Sequence, residues 1–266
     1  MFFFGYYKFI LLFFILIFII RNKLKRKIII NNNKLIGISF GPTGGYFSYT
    51  LGVAKYIQEE FILDNLVFAG TSGGVQPSLT LSMNIPVDIM FNNWLTPLVN
   101  EIKDKFIFNI LPPFNMFKIS KKYLSKNLVN YDLSKLNNKF YVGITKIFPY
   151  PHNYSVTKWI NNFDDFYDGL CASQYLPFLS GYPLFFFRDF YCIDGYFTNS
   201  KCEPISGKWL YIDSNTWNNK NKTFISGLIA MKNIGDINFH LNQYKLGYEN
   251  AKRNHKFLLK SGLIEK

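Results

Sequence analysis

Cysteine is scarce in this chain. It has three, Cys171, Cys192 and Cys202, an odd count without C-x-x-C spacing. That argues against a disulfide framework and a structural zinc site, and fits reduced, mostly buried thiols in a cytosolic domain. The G-x-G-x-x-G of a dinucleotide site and the Gly-Lys-Ser/Thr ending of a phosphate-binding loop are both missing. No cluster of metal-ligand residue types is apparent, so neither metal nor cofactor is expected, and any activity is expected to be independent of calcium. Acidic residues are few, 17 against 30 Lys and Arg, for a net charge of +13. The basic residues stand beside no zinc-knuckle or RNP-like pattern, so the charge does not by itself imply nucleic acid. The runs Lys118–Lys126 and Lys252–Lys260 read as solvated helix faces. The pair Asp164-Asp165 reads as charge at a helix N-terminus rather than as a metal site.

What the chain does have begins at its start. Phe9–Ile20 is unbroken hydrocarbon, and Lys8 is the one charge before it. An apolar stretch of about 19 residues spans roughly 28 Å as a helix, close to the thickness of a bilayer core. A cleaved signal peptide would want a basic start, a shorter apolar region and a small-residue cleavage site, and none of these is clear. Arg21–Lys27 then places five positive charges in seven residues, which favours a cytoplasmic flank and contact with anionic headgroups. The expected organisation is a membrane anchor with its basic flank over residues 1–33 and a folded domain over 34–266, with that domain in the cytoplasm.

The most informative stretch is Leu66–Gly74. A short apolar strand runs into Gly70-Thr71-Ser72-Gly73-Gly74 and then into the helix-like Val75–Leu81. This is the G-x-S-x-G pattern in a strand–turn–helix context, the nucleophile elbow. Ser72 is raised on a strained turn, Gly70 and Gly74 allow the neighbouring backbone to come close, and the new helix offers free N–H groups to an oxyanion.

Upstream, Leu35–Phe40 reads as a buried strand, followed by Gly41-Pro42-Thr43-Gly44-Gly45 and by helical spacing over Tyr49–Phe61. The resulting βαβ opening predicts parallel strands with both loops at their carboxyl ends, where such sheets bind ligands. The glycine loop makes sense as an oxyanion loop, with Gly41, Gly44, Gly45 and Gly73 as candidate donors. Downstream, Phe91–Leu98 and Phe117–Leu128 look helical. Lys139–Lys146, Ser155–Trp159, Lys208–Ile212 and Phe224–Met231 look like strands, and Gly235–Lys260 like an amphipathic closing helix. Asp194 ends an apolar strand before Gly195, as either a capping or a catalytic carboxylate. Tyr182–Phe187 reads as a buried strand or as a lipid-facing lip of the cleft.

Taken in order, these blocks resemble the patatin-like phospholipase family over roughly Ile36 to Gly262. The glycine loop running into Leu51-Gly52-Val53-Ala54-Lys55 is similar to that family's oxyanion loop and following helix. Gly70–Gly74 is similar to its elbow, Ala172-Ser173 with Pro177 to its Ala-Ser-x-x-x-Pro segment, and Asp194-Gly195 to its Asp-Gly motif. The closing helix around Leu246–Ala251 is also similar. The resemblance implies a three-layer α/β/α fold with a mainly parallel sheet. It further implies a dyad without histidine, Ser72 as nucleophile and Asp194 as base, acting on fatty-acyl esters of membrane lipids.

Two alternatives stand beside it. One is a catalytically weak or inactive relative that binds lipid or a partner, favoured by Pro42, Thr43, Tyr46 and Phe47 in the loop and by Tyr196 after the aspartate. The other is an α/β-hydrolase esterase with a Ser-His-Asp triad, for which His240 and His255 are the available histidines after Asp194.

Overall fold

The computed structural model describes residues 34–106, 113, 115–217 and 224–266. The expected anchor, residues 1–33, lies outside them. Among the described residues no helix is long and apolar enough to cross a membrane.

The chain folds as β1 (Leu35–Phe40), α1 (Phe47–Glu60), β2 (Phe61–Ile62), β3 (Val67–Thr71), α2 (Val75–Ser82), α3 (Val87–Met90), α4 (Thr96–Ile102) and α5 (Met116–Leu128). Then come β4 (Phe140–Lys146), β5 (His152–Val156), α6 (Phe163–Gln174), β6 (Phe185–Phe187), β7 (Phe190–Asp194) and β8 (Lys208–Ile212). Last are α7 (Phe224–Ala230), α8 (Ile237–Arg253), α9 (His255–Ser261) and β9 (Ile264–Glu265). The architecture is α/β, with a mostly parallel central sheet flanked by helices. Strands run in the order β6-β7-β4-β3-β1-β8, with β5 also on β4, and β2 pairs separately with β9.

β8, β1, β3 and β4 are mutually parallel, while β5 and β7 run antiparallel to β4. The parallel strands are short runs such as Leu-Ile-Gly-Ile-Ser-Phe, with Ile38, Phe40, Phe68, Val142 and Ile144 fully buried, as expected for strands covered on both faces. α1 and α8 form the most extensive helix pair. They cross where Gly52 meets the Tyr244 carbonyl and Gly247 meets that of Tyr49, leaving no room for a Cβ at either.

Two sequence expectations need correction. Phe224–Met231, expected as a strand, is the helix α7 followed by a 3-10 turn. Its Gly227 and Ala230 fit against the backbone of the glycine loop, so tertiary packing overrides a β-branched composition. The strand expected at Ser155–Trp159 is shifted back to β5. Asn162 caps α6 by accepting from the N–H groups of Asp164 and Asp165. Those two carboxylates pair with Lys121 and Arg188, and Lys122 in the basic run of α5 pairs with Glu101. The three cysteines are free and buried.

Candidate active site

Two strands converge on one point of β4. β3 runs parallel to it and ends with Thr71 opposite Gly143, and β7 runs antiparallel and ends with Asp194 opposite Ile144. The residues at this junction therefore face each other. Ser72 Oγ donates to Asp194 Oδ2 at 2.8 Å, with both residues buried. Ser72 is held at φ +54°, a left-handed conformation that costs a non-glycine residue about 1–3 kcal/mol and persists only when its surroundings fix it.

The fixing contacts are visible. The Ser72 N–H donates to Ser173 Oγ at 2.9 Å, and Ser173 Oγ donates to the Gly143 carbonyl at 2.6 Å. One hydroxyl thus staples the elbow to β4. Thr71 Oγ1 donates to the Asn199 carbonyl at 2.8 Å, and the Asn199 amide donates to Tyr154 O and Ser155 Oγ at 2.9 and 3.1 Å. At Gly70 and Gly74 a Cβ would collide with the Gly74–Val75 backbone and with the carbonyls of Phe40 and Gly41 respectively, so close packing explains both elbow glycines.

Asp194 both caps a turn and faces Ser72. Its Oδ1 accepts from the Tyr196 N–H at 2.8 Å, capping a 3-10 turn, which leaves Oδ2 to Ser72. Its own N–H donates to Tyr175 O, and its carbonyl accepts from Thr145 Oγ1, both at 2.8 Å. Burial pushes the carboxyl up to about 7, partly offset by the Tyr196 N–H and the Ser72 hydroxyl. A carboxylate with this affinity for protons is a far better base near neutrality than an exposed aspartate at about 3.9.

Neither candidate triad histidine is bonded to Ser72 or Asp194. His240 is fully buried, with Nε2 donating to Ile234 O at 2.9 Å and Nδ1 at 3.0 Å from Ser48 Oγ. Burial lowers it to about 4, so it is neutral. His255 lies between the Tyr56 hydroxyl and the Glu265 carboxylate, stacked on Phe61.

The glycine loop departs from expectation at two positions. The Gly41 N–H donates to Ile212 O at 2.7 Å, extending the β1–β8 ladder, and is therefore removed from the oxyanion set. Gly45 has its open side against Ala230 and is a packing residue. Gly44, at φ +54°, and Gly73 line the space around Ser72.

No protein-family model matches this chain, and no curated protein matches it significantly. The geometry of the site therefore carries the functional reading.

Two cavities meet at Ser72 and Gly44. One, of about 100 Å³, is apolar, with walls that include Leu79, Met90, Trp94, Phe117, Leu124 and Met231. The other, of about 340 Å³, is polar, with Thr43, Asp194, Tyr196, Ser200, Lys201 and Tyr211 among its lining. Asp194 borders the polar cavity and is not among the residues lining the apolar one. Among the described residues no group of His, Cys, Asp and Glu is placed to hold a metal ion. Sequence reasoning picked out Ser72 and Asp194. It missed the staple made by Ser173 and the division of the site into two cavities, because both arise from residues that only the fold brings together.

Proposed function

We propose that the chain is a serine lipid acyl hydrolase of the patatin-like type, cleaving fatty-acyl esters through Ser72 and Asp194. The observation that carries this reading is the direct hydrogen bond between a strained elbow serine and a buried carboxylate with no histidine between them. Ser72 Oγ attacks the ester carbonyl carbon while its proton passes to Asp194. The oxyanion is held by backbone N–H groups at Gly44 and Gly73, an effect worth roughly 3–4 kcal/mol per donor in other enzymes. Collapse breaks the acyl–oxygen bond, Asp194 returns the proton to the departing alcohol oxygen, and the acyl group stays on Ser72. Water attacks next, giving its proton to Asp194 and its hydroxyl to the acyl carbon, and the serine regains its proton as the fatty acid leaves.

The two cavities support the same assignment. An ester held at Ser72 directs its two substituents apart, and the apolar cavity suits the acyl chain. The alcohol then enters the polar cavity, where Asp194 stands beside the oxygen it must protonate. Membrane lipids are the natural substrates of such a domain if Phe9–Ile20 anchors it and Arg21–Lys27 lies at the headgroups.

A fluorophosphonate probe tests the reading directly. It is expected to label Ser72 in the wild type and to leave Ser72→Ala unlabelled. Absence of label on folded wild type would overturn the proposal.

A further inference from the structure

Helix α7 occupies an unusual place. Its Gly227 and Leu228 line the polar cavity, and Met231 and Ile234, just beyond it, line the apolar one. The segment therefore roofs both halves of the site. It sits on the glycine loop through small contacts. A Cβ on Gly44 would stand 2.8 Å from Gly227 O, and one on Gly45 would collide with the Ala230 backbone. The face turned away from the site is apolar rather than polar. Ile225 and Ile229, one helical turn apart, are 66% and 57% exposed.

The apolar cavity is also too small for its proposed acyl group. A cavity of about 150 Å³ takes one benzene, so the apolar cavity of about 100 Å³ holds only the first few carbons of a fatty chain. Something has to move before a long chain can enter. Gly44, Ser72 and Leu176 also line both cavities, but among the segments that do so α7 is the one that carries the exposed pair Ile225 and Ile229 on its outer face.

The rim continues the apolar surface. Leu228 and Met231 pack with Leu176, Leu179 and Leu184, and the loop between those leucines presents Tyr182, 84% exposed. Phe186 beyond it is 57% exposed and stacks edge-on with Tyr191, which in turn meets Phe148. Exposed isoleucine, tyrosine and phenylalanine on α7 and on the neighbouring β6–β7 edge form a surface suited to the boundary between headgroups and acyl chains.

We infer that α7 is a lid, and that its outer face, with the aromatic rim beside it, docks on a lipid surface that draws it off the glycine loop. The inference rests on the lipid-hydrolase reading. A bilayer is the occupant because it alone supplies both the cover for this face and the chain that must enter beneath it. Tether length permits it. Seven residues separate Lys27 from Leu35, an extended reach of about 25 Å, whereas a six-residue strand such as β1 measures about 20 Å. An anchored domain can thus present the carboxyl ends of its strands to the bilayer that holds it.

The test uses the full chain in phosphatidylcholine nanodiscs, comparing Ser72 labelling by an ethyl and a hexadecyl fluorophosphonate. Wild type is expected to react with both. I225S/I229S is expected to lose about tenfold in rate with the hexadecyl probe, a factor matching about 1.4 kcal/mol of apolar burial, and to react with the ethyl probe as wild type does. Ile225→Leu with Ile229→Leu is expected to keep hexadecyl labelling. Equal hexadecyl rates in wild type and the serine variant would overturn the lid, and would be the outcome if a protein rather than lipid covers this face. Failure of both probes on wild type would instead overturn the hydrolase reading.

Discussion

Ser72 and Asp194 are bonded at 2.8 Å because β3 and β7 run toward each other along β4 and stop at adjacent positions, Gly143 and Ile144. The dyad is thus a consequence of sheet topology, and each residue is held by further partners, Ser72 through Ser173 Oγ and Asp194 through Tyr196, Tyr175 and Thr145. Ser72→Ala is expected to abolish ester hydrolysis. Asp194→Asn, which keeps the shape but cannot take the proton, is expected to lower kcat by about a thousandfold or more. His255→Gln is expected to leave kcat unchanged, as is His240→Gln assayed below its lowered melting temperature. Steady-state kinetics on a soluble ester separates these outcomes, and a collapse of kcat in either histidine variant would restore a triad.

Asp194 also sets a pH dependence of opposite sign for activity and stability. As a base it must be ionised in the free enzyme, so kcat/KM is expected to rise with pH and to be half developed near 7. For stability, the folded carboxyl holds its proton at a pH where the unfolded chain has released it. This contribution is full below about pH 4 and is lost as the pH rises through about 7. His240 acts the other way. Burial holds its folded value at about 4, below the ordinary imidazole range near 6.5, which gives stability that is present above 6.5 and is lost as the pH falls toward 4. Comparing Asp194→Asn with wild type cancels the histidine. The variant is expected to be more stable at about pH 8 by roughly 2–4 kcal/mol, with the gain vanishing toward pH 4. Urea unfolding across that range measures it.

Ser173, singled out in sequence only as part of the Ala172-Ser173 segment, is expected to position the elbow. Ser173→Ala leaves the Ser72 N–H and the Gly143 carbonyl without the hydroxyl that joins them. Both are buried, so the cost is about 1–3 kcal/mol of stability. The elbow also loses the contact that holds Ser72 at positive φ, and kcat is expected to fall with little change in KM. Ser173→Thr, which restores a hydroxyl, is expected to recover part of kcat if the added methyl is accommodated. Thermal melts with parallel kinetics distinguish this positioning role from simple destabilisation.

Much of this was legible in the sequence. Leu35–Phe40, the elbow and the run ending at Asp194 announce themselves through apolar strands closed by glycine turns, and the structure places all three as expected. The failures have a common cause. Phe-Ile-Ser-Gly-Leu-Ile-Ala has the composition of a strand and becomes α7, because its small residues fit the glycine loop, a contact no local pattern records. Gly41 and Gly45 look like their neighbours Gly44 and Gly73, yet one N–H is taken by Ile212 and the other glycine is pressed on Ala230. Which glycine faces the space beside Ser72 is decided by the register of β1 on β8 and by the seat of α7, and neither can be read from spacing.

Lys201 offers a way to read the alcohol side of the substrate. It lines the polar cavity with Asp194, and its ammonium lies 4.9 Å above the Tyr211 ring. Asp213, on the same wall, accepts from the N–H groups of Asn215 and Thr216 through Oδ1. A glycerol phosphate leaving group gives Lys201 an anionic partner, whereas a neutral glyceride gives it none. Lys201→Met is therefore expected to reduce kcat/KM for a lysophospholipid about tenfold more than for a monoacylglycerol of the same chain, with Lys201→Arg close to wild type. The loss is expected mainly in KM, because the charge is present before and after acyl transfer. Lys201 is exposed at the rim of the cavity, so the substitution leaves the fold intact and the ratio reports recognition. An unchanged ratio would mean that the polar cavity takes its alcohol without reading its charge.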